Sequence, residues 1–198
     1  MSLNAQVGVA LYLEKASICK QTNGKFSLND FHKKPIIADA DTIYSTHFDC
    51  FVVSKAGQKG LYDAEGKCLL PITFSNISFD NNRYWLVNKD GKQGLYSYMG
   101  KEILPPRYDS IEVISNYRTN AGNYFIVKKG LYGLCNNEGK FIVDPQYTAI
   151  KYRYLRYFKL TKGDSCHYLF NYKDIIKDIT LDDAMPITIQ RNEQKRFY

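Results

Sequence analysis

Hydrophobic residues in this chain occur in short runs that alternate with polar positions and end at turn residues. Residues 84–89 combine aromatic and β-branched side chains and place Trp85 and Val87 on one face of a strand. Asp90-Gly91 follows, and this pair favours a type I′ hairpin turn because glycine reaches positive φ without steric cost. Clean helical periodicity is absent, although residues 173–179 could form a short helix. The pattern therefore predicts short strands joined by tight turns.

The same pattern of residues occurs three times in the sequence, at spacings of 34 and then 39 residues. The longer spacing places five additional residues within residues 115–123. Three glycine columns and six further columns define the unit: Gly57/Gly91/Gly130, Gly60/Gly94/Gly133, Gly66/Gly100/Gly139, Phe51/Trp85/Tyr124, Val53/Val87/Ile126, Lys55/Lys89/Lys128, Lys67/Lys101/Lys140, Phe74/Tyr108/Tyr147 and Ile77/Ile111/Ile150. Because the lysine columns recur in every unit, we interpret them as structural.

The middle unit predicts four strands in about 36 residues, which is the size of a β-propeller blade. Pro105-Pro106 is expected to stop the third strand, because proline cannot donate to a β-ladder. A fourth strand, residues 109–115, is expected to close the unit. Weaker copies at both ends extend the array to five units in a single domain, residues 1–198. The predicted units are about 16–46, 51–80, 85–115, 124–153 and 158–190, with terminal strands at Val7–Leu13 and Pro186–Gln190.

Residues 55–63 (Lys-Ala-Gly-Gln-Lys-Gly-Leu-Tyr-Asp) and 100–108 (Gly-Lys-Glu-Ile-Leu-Pro-Pro-Arg-Tyr) resemble the WG repeats of bacterial proteins. The resemblance covers about residues 51–150. The tryptophan that names the family would fall at Lys59, Gln93 and Tyr132, so only the third unit keeps an aromatic residue there. The resemblance implies an all-β, β-propeller-like array, and the count of units predicts five blades. It also implies a binding scaffold without a common activity, and it supplies no catalytic residues.

The composition adds no reaction to this architecture. A hydrophobic fraction of 44% excludes general disorder. The three histidines have no zinc-site spacing, and no catalytic set or phosphate-binding loop can be singled out, so we predict no enzyme, no metal and no cofactor. The five scattered cysteines are expected to be reduced thiols. No apolar run reaches the ~18 residues of a membrane span, and no signal peptide precedes Val7–Leu13, so the chain is predicted to be cytoplasmic.

The formal net charge is +7, and its distribution is uneven. Residues 145–163 contain no acidic residue, and their lysines and arginines interleave with tyrosines. This composition is typical of a protein interface, and also of a nucleic-acid surface in which cations contact phosphates and rings stack on bases. A third interpretation packs the tyrosines between units and leaves the basic tips in solvent. The candidate partner-binding residues are Tyr152, Arg153, Tyr154, Arg156 and Tyr157, with Tyr117 and Arg118 from the inserted stretch.

The sequence therefore predicts a non-enzymatic protein-binding module whose partner is another protein with an acidic surface. A more specific hypothesis is an immunity protein that neutralises a toxin. The alternative is a nucleic-acid-binding protein that uses the basic and aromatic residues near Tyr154.

Overall fold

The computed structural model describes residues 16–80, 83–115, 123–153, 157–170 and 174–177. These residues form nineteen β-strands and a single-turn 3₁₀ helix at His47–Asp49, as the all-β prediction requires. In chain order the strands are β1 (Ser17–Lys20), β2 (Phe26–Asn29), β3 (Pro35–Ala40), β4 (Thr42–Ser45), β5 (Phe51–Lys55), β6 (Gln58–Tyr62), β7 (Cys68–Phe74), β8 (Asn76–Asp80), β9 (Tyr84–Lys89), β10 (Lys92–Ser97), β11 (Glu102–Tyr108), β12 (Ser110–Ile114), β13 (Tyr124–Lys129), β14 (Leu131–Cys135), β15 (Phe141–Tyr147), β16 (Ala149–Arg153), β17 (Tyr157–Lys162), β18 (Ser165–Phe170) and β19 (Asp174–Lys177).

The strands form five small antiparallel sheets in which neighbours in sequence are neighbours in space. The first sheet has three described strands, β1 to β3, and each of the others has four. The chain is thus a β-propeller-like array of five sheets. Within the described residues no helix is long and apolar enough to cross a membrane.

The predicted units and the observed sheets differ in phase by one strand. The strand expected to close the middle unit is β12, and it pairs with β13 and so opens the next sheet. The reason lies in the connecting residue, since the Asp109 N–H donates to the Lys128 carbonyl of that next sheet at 2.7 Å. Ser75 and Thr148 make the equivalent bonds at 2.8 Å to Asn88 and Thr161. A unit of sequence therefore contributes three strands to one sheet and one strand to the following sheet.

In the first strand of the third unit, the residue columns predicted from the sequence differ from the observed register by one residue. Val53 pairs with Gly60 and Val87 with Gly94, but the residue paired with Gly133 is Val127 and not Ile126. The turn at Gly130 is one residue shorter than its counterparts. Because successive side chains point to opposite faces, the slip assigned Tyr124 and Ile126 to the wrong side of the sheet. The residues equivalent to Trp85 and Lys89 are Phe125 and Lys129.

Two local predictions are also wrong. Strand β11 continues through Pro105-Pro106, because it is the outermost strand of its sheet and pairs only with β10. Residues 174–177, proposed as part of a helix, form strand β19, in which Asp174 pairs with Phe170 and Lys177 with His167. In both segments pairing with a neighbouring strand overrides the local preference.

Four hydrophobic clusters lie between consecutive sheets and hold the array together. The cluster between the third and fourth sheets shows the principle, because both of its sheets contribute fully buried residues. Leu95 and Leu104 come from one side, and Phe125 and Val127 from the other. Burying a side chain of this size stabilises the folded state by about 1.5–3 kcal/mol. Each inner sheet is therefore apolar on both faces.

The glycine columns are explained by close approaches as well as by turns. A Cβ on Gly94 would lie 2.8 Å from the Pro106 nitrogen, so only glycine lets β10 approach β11 this closely. Gly100 has φ +82°, and a Cβ there would lie 2.6 Å from the Leu69 carbonyl oxygen of the preceding sheet. The repeated glycines therefore hold strands together within a sheet and turns against the neighbouring sheet.

Candidate functional site

Each sheet is a meander, so its connections lie at the two opposite ends of its strands, and we call these two ends its edges. We call one the loop edge; among the described residues of the four-stranded sheets it carries the connection at residues 46–50 and the third-to-fourth turns at residues 63–67, 98–101 and 136–140. We call the other the hairpin edge; it carries the tight turn that follows β1, β5, β9, β13 and β17. The sequence candidates Tyr117, Arg118, Tyr154 and Arg156 lie outside the described residues.

Five side chains at the loop edge form a surface that we call the aromatic rim: His47, Phe48, Phe79, Tyr98 and Met99. The His47 and Phe79 rings stack with centroids 4.3 Å apart. Phe48 lies edge-on to Phe79 at 5.3 Å and contacts Tyr98 at 5.5 Å. Exposed fractions are 52% for Phe48, 41% for Tyr98 and 67% for Met99, which is large for apolar side chains of this size. The rim is therefore a largely aromatic and apolar surface in contact with solvent.

The backbone that presents Phe48 is strained. Phe48 has φ 58° and ψ 37°, and Asp49 has φ 53°, so two consecutive non-glycine residues occupy the left-handed region. Two backbone hydrogen bonds close the turn, from Thr46 N–H to the Cys50 carbonyl at 2.7 Å and from Cys50 N–H to the His47 carbonyl at 3.2 Å. Strain held in this way at an exposed aromatic residue is characteristic of functional sites.

The rim rests on a rigid base. Trp85 is 1% exposed, and Phe79 packs edge-on against it at 4.8 Å. The Trp85 Nε1–H donates to the Tyr98 carbonyl at 3.1 Å, which fixes the turn that carries Tyr98 and Met99. The rim is thus held by the cluster between the second and third sheets, so its side chains are preorganised for contact.

The described members of the predicted basic and aromatic patch lie on β16 and β17. Tyr157 is 7% exposed and packs against Tyr168 with ring centroids 5.8 Å apart. Tyr152 is half-buried against Phe158 at 5.2 Å, and Arg153 is half-buried beside it. Both described tyrosine rings therefore contact the chain's own aromatic residues, as the packing interpretation of this segment expects.

Carboxylates clamp two of the four sheet junctions at the hairpin edge. Asp109 accepts the Gly130 N–H at 2.7 Å and the Lys92 ammonium at 2.6 Å. Asp41 accepts the Ala56 N–H at 2.8 Å and is bonded by Lys25. The lysine bond is the largest cause that lowers the pKa of each carboxyl group below its ordinary value, and the backbone bond follows.

The described residues contain no cluster of three or more His, Cys, Asp or Glu side chains that could hold a metal ion. The cysteines are free, and burial raises the pKa of Cys50 to about 11 and that of Cys135 to about 12. These two buried thiols stay protonated at neutral pH and are unreactive.

Sequence reasoning missed the aromatic rim. Its members come from three separate segments that only the packing of the second and third sheets brings together. One signal was available, since Thr46-His47-Phe48-Asp49 interrupts the alternation between two strands without a glycine or proline.

The family model of the WG-containing repeat matches residues 94–130 and 132–154, which confirms the resemblance. No curated protein sequence matches the chain. One similar solved structure is that of PorZ, an essential bacterial surface component of the type-IX secretion system of human oral-microbiomic Porphyromonas gingivalis. It is 9% identical, with 81% of this chain and 25% of that chain covered and a TM-score of 0.28. Another is BBS1N in complex with ARL6DN, at 10% identity, with 82% and 64% covered and a TM-score of 0.29.

Proposed function

We propose that this WG-repeat chain is a non-enzymatic protein-binding module and that the aromatic rim is its contact surface. One observation carries the proposal: Phe48 is half exposed on a strained turn while its underside is fixed by Phe79 and Tyr98. A side chain needed only for packing would be buried, and an aromatic residue at φ 58° carries backbone strain that glycine or asparagine would avoid. Exposed, preorganised aromatic side chains are typical anchors of protein interfaces.

Aromatic residues and arginine are enriched at the centres of protein interfaces. On this composition we keep Tyr117, Arg118, Tyr154 and Arg156 as partner-binding candidates in addition to the aromatic rim.

Position-specific photocrosslinking tests the proposal. A photoreactive phenylalanine analogue replaces Phe48 or, in a second variant, Tyr98, and the protein is illuminated in cells of its source organism. The matched control places the same analogue at Phe141, which is 39% exposed but lies in the fourth sheet. We expect positions 48 and 98 to capture the same discrete protein, with capture suppressed by excess unmodified chain. Adducts that are absent, or identical at position 141, contradict the proposal.

The partner-neutralising role, with toxin inhibition in the cytoplasm as its specific form, extends this proposal. It requires that stoichiometric binding abolish the activity of the captured protein and that Phe48→Ala restore it. If Phe48→Ala weakens binding but the bound partner remains fully active, the chain is an adaptor and not an inhibitor.

The nucleic-acid alternative depends on the segment of β16 and β17. Stacking on bases needs exposed rings, and the Tyr152 and Tyr157 rings contact Phe158 and Tyr168 instead. The protein-binding proposal is therefore better supported by the described residues.

A further inference from the structure

The hairpin edge carries a lysine row: Lys55, Lys89, Lys129 and Lys162. Each is the last residue of the first strand of a hairpin, and each pairs with the first residue of the following strand. All four are exposed. The corrected register of the third unit puts Lys129, not Lys128, in this row.

No shared intramolecular contact explains the repetition. The Lys55 ammonium donates to the Ala38 carbonyl at 3.2 Å, and the Lys162 ammonium donates to the Gln146 side chain at 3.1 Å. Lys89 and Lys129 have no side-chain partner among the described residues. A lysine that served each sheet in the same way would make the same bond in each sheet. A contact within the described part of the chain therefore does not explain the repetition.

The charge around the row is strongly positive, and this distinguishes the hairpin edge from the loop edge. The five hairpin turns, residues 20–25, 55–59, 89–92, 128–131 and 162–165, contain nine lysines and two aspartates, and the sheet junctions at this edge add Asp41 and Asp109. The four described third-strand turns of the loop edge, residues 29–34, 62–67, 97–101 and 135–140, contain five lysines and four acidic residues. A ligand with negative charge is therefore drawn to the hairpin edge.

The spacing suits an extended ligand. Packed sheets lie about 10 Å apart, which is close to the Debye length of about 10 Å at 0.1 M salt. Neighbouring lysines therefore repel each other weakly. A negatively charged ligand that spans the row is attracted by each of the four lysines. Three intervals of about 10 Å would place the ends of the row about 30 Å apart, and about ten extended residues reach that far.

The turns favour an acidic polypeptide over a nucleic acid. They contain no aromatic residue on which bases could stack. The carboxylates of Asp41 and Asp109 also lie at this edge, where they would repel a continuous phosphate backbone more than a few separated carboxylates. We infer that the lysine row binds an extended acidic segment of a partner protein, with carboxylates on successive hairpins. This inference deepens the proposed function, but it uses the edge opposite the aromatic rim.

The chain offers a matched control for the test. The row variant replaces Lys55, Lys89, Lys129 and Lys162 with Gln. The control variant replaces four exposed lysines that recur at the loop edge: Lys34, Lys67, Lys101 and Lys140. Both variants lose the same net charge, so a difference between them reports position and not general electrostatics.

The probe is a fluorescein-labelled peptide of about twelve residues with a glutamate at every third position, measured by fluorescence anisotropy against the full chain at about 50 mM and about 200 mM salt. We expect the row variant to bind about tenfold more weakly than the wild-type chain and the control variant to change less than about threefold, because each exposed charge pair is individually weak. A double variant, Lys89→Gln with Lys129→Gln, removes only the two lysines without partners and should show an intermediate loss.

Three results would overturn the inference: equal losses in both fourfold variants, no peptide binding by the wild-type chain at the lower salt concentration, or tighter binding of a labelled single-stranded oligonucleotide than of the peptide. Capture of a partner through position 48 is a separate measurement. Its success with an unchanged peptide affinity in the row variant would reject the lysine row and keep the aromatic rim.

Discussion

The strained turn at Phe48 leads to a prediction about stability: here a glycine variant should be more stable than an alanine variant, which is the reverse of the usual order. At an ordinary position, glycine is less stable than alanine by roughly 0.5–1 kcal/mol, because it loses more backbone freedom on folding. Phe48 has φ 58°, where a Cβ atom destabilises the folded state by about 1–2 kcal/mol through steric strain. Glycine has no Cβ atom and avoids this strain. We therefore expect Phe48→Gly to be more stable than Phe48→Ala by about 1 kcal/mol.

Comparing the two variants isolates the backbone, because both lose the ring. Phe48 is 52% exposed, so the ring buries about half of its surface, and full burial of such a side chain is worth about 1.5–3 kcal/mol. Its edge-on contact with Phe79 adds roughly 0.5–1.5 kcal/mol. Phe48→Ala should therefore cost about 2 kcal/mol, and relief of strain should offset about half of that cost in Phe48→Gly.

Urea denaturation followed by tryptophan fluorescence measures both free energies of unfolding. Trp85 is the only tryptophan of the chain and lies directly beneath the rim, so it reports the relevant region. Both variants should lose the partner contact to the same degree although their stabilities differ. If Phe48→Ala proves as stable as Phe48→Gly or more so, the left-handed backbone stores no strain and the reasoning fails.

Three further predictions follow from the packing and the charges. Because the pKa values of Asp41 and Asp109 are lowered in the folded state, the stability they contribute is present above the ordinary carboxyl pKa of 3.8 and is lost as the pH falls through their folded values. Urea midpoints should thus fall more between pH 7 and pH 3 for the wild-type chain than for the Asp41→Asn/Asp109→Asn variant. Gly94→Ala should cost about 1–3 kcal/mol in urea denaturation, because its Cβ would meet the β11 backbone, and a cost near zero would show that the strands can separate. Arg153→Glu with Arg156→Glu should abolish any oligonucleotide binding at all sequences, and binding that persists with an unchanged salt slope would place the contact elsewhere.

Much of the architecture could be predicted from the sequence because turn chemistry is local. Asp90-Gly91 specifies a tight turn whatever surrounds it, and the glycine columns repeat that information in three units. Strand content follows in the same way from runs such as residues 84–89. The repeat of these signals is what identified a β-propeller-like array, and none of them depends on contacts between distant residues.

The phase of the sheets could not be predicted in this way. Residues 110–114 follow β11, the third strand of the middle unit, closely in sequence. Their hydrogen-bond partners lie on β13, beyond the inserted residues. Which neighbour a strand joins is decided by backbone pairing across that distance. Pairing with a neighbouring strand also explains the two local differences: β11 continues through Pro105-Pro106 beside β10, and residues 174–177 stay extended beside β18.

The candidate sites show the same division. The lysine row was visible as a column, but only the pairing of Val127 with Gly133 moved its third member from Lys128 to Lys129. The aromatic rim was not visible at all, since Phe48, Phe79 and Tyr98 lie far apart in sequence and meet only where the second and third sheets pack. The sequence by itself determined the repeating unit and its turns, because these depend on neighbouring residues. The tertiary structure decided which side chains share a surface, because that depends on how one sheet packs against the next.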